Sequence, residues 1–135
     1  MAFTWRRTRE QLPDDLELTQ YGNRNRPVGG PPFRREPRDR DRGAISMTRG
    51  RVGPAEAHRI VGLQSPRPGD GVRVTTVGTL RAAGFAVDPR PTQANPNHVV
   101  VSLVGGTDWA KQHADLFDEC FTEGSSWLDQ EGIAK

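Results

Sequence analysis

The clearest hydrophobic pattern lies in the second half of the chain. His98 to Val104 contains the run Val99-Val100-Val101, which suits a strand buried on both faces and so central in its sheet. Ala44 to Met47 reads as a short strand. Pro54 suits the first turn of a helix, and Ala57, Ile60 and Val61 follow at i, i+3 and i+4, with Gly62 and the Pro66–Gly69 stretch as its end. Val72 and Val74 alternate around Arg73 over a short strand. Thr76 is placed to cap a short helix with Val77, Leu80 and Ala83 on one side and Gly84 at its C-terminus. Phe85 to Asp88 reads as a strand stopped by Pro89, and Pro89 to Asn97 as a loop. In the last long helix Thr107 is the expected cap and Asp108 lies in the positive first turn. Trp109, His113, Leu116, Phe117, Cys120 and Phe121 form its apolar stripe. Gly124 ends it, and Trp127-Leu128 offers an apolar hook back to the core. The expected fold is α/β or α+β: a small mixed sheet of about three to four strands packed by about two to three helices.

The front of the chain breaks this pattern. Residues 1–43 hold only six Leu, Ile, Val or Phe residues, and Gly22 to Pro37 is dense in Gly, Pro, Asn and Arg. Such a segment buries too little apolar surface to offset an ordering entropy of about 1–2 kcal/mol per residue. The expected organisation is therefore a largely irregular Arg-rich arm over 1–43, followed by a core domain over 44–135. In the whole chain of 135 residues, Leu, Ile, Val and Phe number 27, near the level where a compact core becomes doubtful.

Charge sharpens the division. Residues 1–43 carry ten Arg and seven acids, residues 44–105 seven Arg and three acids, and residues 106–135 two Lys and seven acids. The net charge of +2 thus conceals a basic front and an acidic tail. No apolar run reaches the roughly 18–20 residues of a membrane span, so no membrane partner is expected. The polar and acidic stretch after Arg6-Arg7 provides no export-signal core, and Glu10, Asp14, Asp15 and Glu17 argue against a transit peptide. With a single cysteine, these features lead to the expectation of a cytoplasmic protein.

Thr76-Val77-Gly78, Leu80-Arg81, Gly84-Phe85, Asp88-Pro89, Pro91 and Asn95-Pro96-Asn97-His98 with the valines after it form a recognisable series. The series resembles a loose group of small bacterial proteins of no established activity. Phe33, Pro37, Ser46 and Gly124 to Leu128 fit the outer parts of that pattern, with Ser125-Ser126 in place of its Gly before Trp. The resemblance spans roughly residues 33–128, is specific over 76–101, and implies a compact α/β domain.

Candidate chemistry is sparse. Asn95-Pro96-Asn97-His98 is a turn signature, and His98 at the mouth of a strand is the one weak candidate for an acid/base or ligand anchor. His113 and Cys120 share a helix face but lie about 10 Å apart along its axis, too far for a metal pair, and His58 has no partner at ligand spacing. No metal and no cofactor are expected. Cys120 beside Asp118 and Glu119 reads as a buried small residue rather than a nucleophile. Gly105-Gly106 sits between strand and helix but lacks the Lys-Ser/Thr ending of a phosphate loop, and a tight turn is the better reading.

The sizeable binding feature is arginine. Arg34, Arg35, Arg38, Arg40 and Arg42 in the front segment, with Arg49 and Arg51 after it, are the candidate binding residues, since Arg forks onto carboxylate and phosphate. The leading expectation is a non-enzymatic interaction module whose Arg-rich arm contacts a protein partner. Nucleic acid is the alternative: about five phosphate contacts would give a log–log salt slope of about −4.5. Interleaved acids, including Asp39 and Asp41, and the few aromatics Trp5, Tyr21 and Phe33 weaken that alternative. A further alternative is a small enzyme for a nucleotide-like substrate, with Arg49 or Arg51 on phosphate and His98 as general base.

Overall fold

The computed structural model describes residues 11–25, 30–37, 43–62, 68–105, 108–121 and 126–127. Along the chain they form β1 (Glu17–Asn23), β2 (Ala44–Arg49), α1 (Pro54–Gly62), β3 (Asp70–Thr76), α2 (Val77–Ala82), β4 (Phe85–Pro89), β5 (His98–Leu103), α3 (Lys111–Glu119) and the two-residue β6 (Ser126–Trp127). The strands make one sheet in the order β4-β5-β2-β1-β3-β6. Every pairing is antiparallel, with Leu18 opposite Thr75, Met47 opposite Val99 and Val87 opposite Val101 as register marks. The class is α+β: five full strands and a two-residue sixth, more than the three to four expected, in an antiparallel rather than a mixed sheet.

The physical reason lies in β1. Strands β2 and β3, joined through α1, run in the same direction, and as neighbours they would have made a parallel pair. Strand β1 inserts between them and is antiparallel to both. It pairs with β3 along its whole length, from Glu17 opposite Thr76 to Asn23 opposite Asp70. The boundary expected at 43/44 is therefore crossed by the sheet itself, and the described parts of residues 1–43 are not an appendage.

Polar burial makes β1 possible. Thr19 and Gln20 are buried, yet each is matched: Thr19 Oγ1 donates to Gly50 O and accepts from Val52 N–H, while Gln20 bonds Arg34 O and Arg73. Gly22 has no side chain because Phe33 and Pro32 O occupy its space; an added Cβ would sit 2.7 Å from Phe33 Cδ1. The turn before β1 also completes α2. Val77 N–H donates to Leu16 O at 3.0 Å and Gly78 N–H to Asp14 O at 2.8 Å, two of the donors a helix start leaves unmatched.

Elsewhere local signals act as expected. Thr76 Oγ1 accepts from Thr79 N–H as the cap of α2, and Gly84 takes φ +100° after it. Pro54 opens α1. Strand β5 has neighbours on both sides and Val99, Val100 and Val101 are all buried. The last helix differs. Thr107 lies outside the described residues, Asp108 precedes the helix, and Ala110 is its extended N-cap, with its N–H donating to His113 Nδ1 at 2.8 Å. Trp109 is drawn inward before the helix begins, its indole N–H on Gly43 O and its ring against Phe85 and Phe117. The buried line of α3 is accordingly Ala114, Phe117 and Cys120, and Leu116 is exposed.

One face of the sheet carries the main core: Leu18, Ile45, Met47, Phe85, Val87, Val99 and Val101 under Val77 and Leu80 of α2 and Phe117 of α3. On β3 the residues of that face are Arg73 and Thr75, opposite Gln20 and Leu18. Helix α1 lies against β3 and β1. Among the described residues no helix is long and apolar enough to cross a membrane.

Candidate binding site

Strand parity decides the fate of Arg73. Flanked by Val72 and Val74, it faces the α3 side of the sheet and is nine-tenths buried. A guanidinium taken from water needs compensation, and three kinds are present. Arg73 Nε donates to Gln20 Oε1 at 2.8 Å. Its Nη2 lies 3.0 Å from Asp118 Oδ1. Its carbon centre stands over the rings of Phe121 (3.8 Å), Phe33 (4.7 Å) and Phe117 (5.4 Å), where the π faces favour a cation. Burial pulls the guanidinium below its ordinary pKa and Asp118 works against that pull. Arginine keeps its charge regardless.

A second arginine arrives from the front segment. Residues 31–37 cross this face, tied down by Asn23 N–H on Pro32 O, by Gln20 Nε2 on Arg34 O and by the Phe33 ring over Gly22. Arg35 then meets α3, with Nε 2.5 Å from Asp118 Oδ2 and Nη2 on Asp115. Lys111 also holds Asp115, at 2.8 Å, and that hydrogen bond, with the nearby cations, lowers the Asp115 pKa. The result is a cleft of about 210 Å³ lined by Pro31, Pro32, Phe33, Arg35, Arg73 and Asp118. It combines two guanidinium groups that share one carboxylate with an apolar wall, an arrangement suited to a singly charged oxyanion.

The other expected residues go elsewhere. Arg34 contributes its carbonyl to Gln20. Arg49 lies opposite Leu18 at the end of β2, its N–H on Asn97 O, and Arg51 forks onto Glu17 through Nε at 3.2 Å and Nη2 at 2.5 Å. Arg38, Arg40 and Arg42 lie outside the described residues. The four described arginines of that set, Arg34, Arg35, Arg49 and Arg51, thus have partners in different parts of the fold. Register puts His98 opposite Thr48, next to Arg49. Its Nδ1 is engaged by Arg90 O at 2.8 Å, while Asn95 bonds Thr48 Oγ1 and the Asn97 N–H. These contacts are those of a locked turn joining β4 to β5.

Among the described residues no group of three or more His, Cys, Asp or Glu is placed to hold a metal ion. Cys120 is buried, and burial together with Glu119 raises its pKa, which keeps it a thiol. Gly105 adopts φ +94° at the turn after β5, and Gly106 lies outside the described residues. Arg73, Asp115, Asp118, Gln20 and Phe33 are the site residues that sequence reasoning missed. The available signals were an arginine between alternating valines and two acids at i, i+3 on the last helix.

No protein-family model matches this chain, and no curated protein or solved structure shows significant similarity to it.

Proposed function

We propose that this chain is a non-catalytic interaction module that engages a protein partner through arginine side chains, with the Arg35–Arg73 cleft as its grip. The observation that carries the reading is the buried guanidinium of Arg73, stacked among three phenyl rings and lining an open cleft beside Arg35. A preorganised guanidinium pair recognises a carboxylate with little loss of side-chain entropy. The Arg-rich stretch Arg38–Arg42, adjoining Arg35 in sequence, adds longer-range attraction for an acidic partner.

Fluorescence anisotropy of the full chain tests this against the nucleic-acid alternative. The probes are a labelled Asp/Glu-rich peptide and a labelled DNA duplex of about 20 base pairs, at about 50 and 200 mM salt. The peptide is expected to bind, more weakly to the Arg38→Ser/Arg40→Ser/Arg42→Ser variant, with little binding of the duplex. Tight duplex binding with a log–log salt slope of about −4.5 and no peptide binding would overturn the reading.

A further inference from the structure

Helix α3 begins without the usual means of doing so. Its N-cap is Ala110, which has no side-chain oxygen for the free N–H groups of the first turn. No acidic residue stands in that turn, and Lys111 adds a positive charge at the positive end of the helix. Among the described residues, the side chain that bonds there is His113. Its Nδ1 accepts the Ala110 N–H at 2.8 Å. In return the Ala110 carbonyl accepts from the His113 N–H at 2.9 Å and the Ala114 N–H at 3.2 Å. The first turn therefore closes on Ala110 from both sides.

In a capping box the third helical position, here His113, ordinarily holds Glu or Gln, whose oxygen takes the N-cap N–H. Histidine differs in one respect. Imidazole accepts at Nδ1 only while neutral and protonated on Nε2, and its cation has two N–H donors and no acceptor. That change falls between about pH 5 and pH 8. Protonation then sets two N–H groups against each other and adds a second cation beside Lys111. The charged groups around α3 do not offset this. Asp115 is held by Lys111 and Arg35, and Asp118 by Arg35 and Arg73, while Asp108, Glu36 and Glu119 are exposed to water. On the packed elements, Arg73 of β3 is taken by Asp118 and Arg81 of α2 by Asp14, and Asp88 of β4 belongs to the opposite face of the sheet from Val87.

We propose that the start of α3 is a proton-sensitive latch. Neutral His113 closes the first turn on Ala110. Protonated His113 opens it, and Lys111, which sits in that turn, loses its fixed place against Asp115. Asp115 is one of the two carboxylates that hold Arg35. Acidification thus slackens the α3 side of the cleft, while Phe117, further along the helix, stays in the core. The sign follows from the acceptor: the bond is present above the titration range of His113 and is lost as pH falls through it. The latch is independent of what the cleft binds.

Amide hydrogen exchange of the full chain, followed by NMR at about pH 5.5 and about pH 8, tests the latch above the ordinary carboxylate range. Three proteins are compared: wild type, His113→Gln, which keeps an acceptor at either pH, and His113→Ala, which has none. His58 and His98 are common to all three, so their titration cancels. At the Ala114 amide, exchange of wild type and His113→Gln is expected to be alike at pH 8, with His113→Ala about fivefold faster. At pH 5.5 wild type is expected to exchange about fivefold faster than His113→Gln and to match His113→Ala. The imidazole nitrogen shifts of His113 at pH 8 are expected to show the proton on Nε2. A ratio of wild type to His113→Gln that does not change with pH, or a proton on Nδ1 at pH 8, would overturn the proposal. Equal protection of His113→Ala and wild type at pH 8 would overturn it as well.

Discussion

Two ends of the same sheet face are held together by opposite means. At the β4–β5–β2 end, Phe85, Val87, Val99, Val101 and Met47 are buried against α2 and α3 by apolar contact, with the rings of Phe85, Trp109 and Phe117 within 5.0–5.8 Å of one another. At the β1–β3 end the residues on that face include Gln20, Gly22 and Arg73, just as well buried and almost without aliphatic surface. There the stabilisation comes from matched hydrogen bonds, a cation among aromatic rings and carboxylates on α3. Removal of a contact at the first end costs transfer energy and a cavity. At the second it leaves polar groups without partners inside the protein, and the cost depends on what replaces them.

That difference gives the largest expected effects. Phe85→Ala at the apolar end is expected to lower stability by about 3–5 kcal/mol in chemical denaturation. Arg73→Ala at the polar end is expected to cost about 2–3 kcal/mol, below the full value for a broken buried pair because Asp118 is partly exposed. The sharper comparison is Arg73→Met, which fills the same space without charge and is expected to be less destabilising than Arg73→Ala. A larger loss for Met than for Ala would mean that the guanidinium is not held in place of an apolar side chain.

Gly22→Ala probes how the front segment crosses the sheet. The new methyl meets Phe33 and Pro32 O, and overpacking of this kind costs about 1–3 kcal/mol. A neutral effect in the same denaturation experiment would show that residues 31–37 do not lie on β1.

The smallest effect concerns pH. Asp115 has its pKa lowered in the folded protein by the Lys111 hydrogen bond and the nearby cations. A depressed folded value gives stability that is present above the unfolded value and lost as pH falls through the folded one. Thermal melts between about pH 5 and pH 2 are expected to fall less steeply for Asp115→Asn than for wild type. Parallel profiles would remove Asp115 from the account.

The same contrast explains what was legible in the sequence. The apolar end announces itself: the valine run of β5, the Thr76 cap, the Gly84 stop and the Pro54 start are all local signals of residue type. Strand β1 has no such signal. Its sequence Glu-Leu-Thr-Gln-Tyr-Gly-Asn places Leu18 alone among polar residues on the core-facing side, and its burial depends on Arg34, Gly50 and Arg73, residues distant in sequence. A count of apolar residues therefore mistakes a sheet strand for part of an irregular arm. The cleft was hidden for the same reason, since Phe33, Arg35, Arg73 and Asp118 meet only after β1 has placed β3 beneath residues 31–37. The start of α3 was misplaced because Thr107-Asp108 is a good cap in isolation, whereas Trp109 makes its contacts before the helix begins.

The central claim is that the front of the chain is part of the sheet and builds the cleft. Amide hydrogen exchange of the full chain tests it most directly, through the Leu18 and Thr19 amides of β1 and the Val99 to Val101 amides of β5. The expected result is protection of the β1 amides within about tenfold of the β5 amides. Exchange of the β1 amides at the rate of an unfolded chain, with β5 still protected, would contradict the claim.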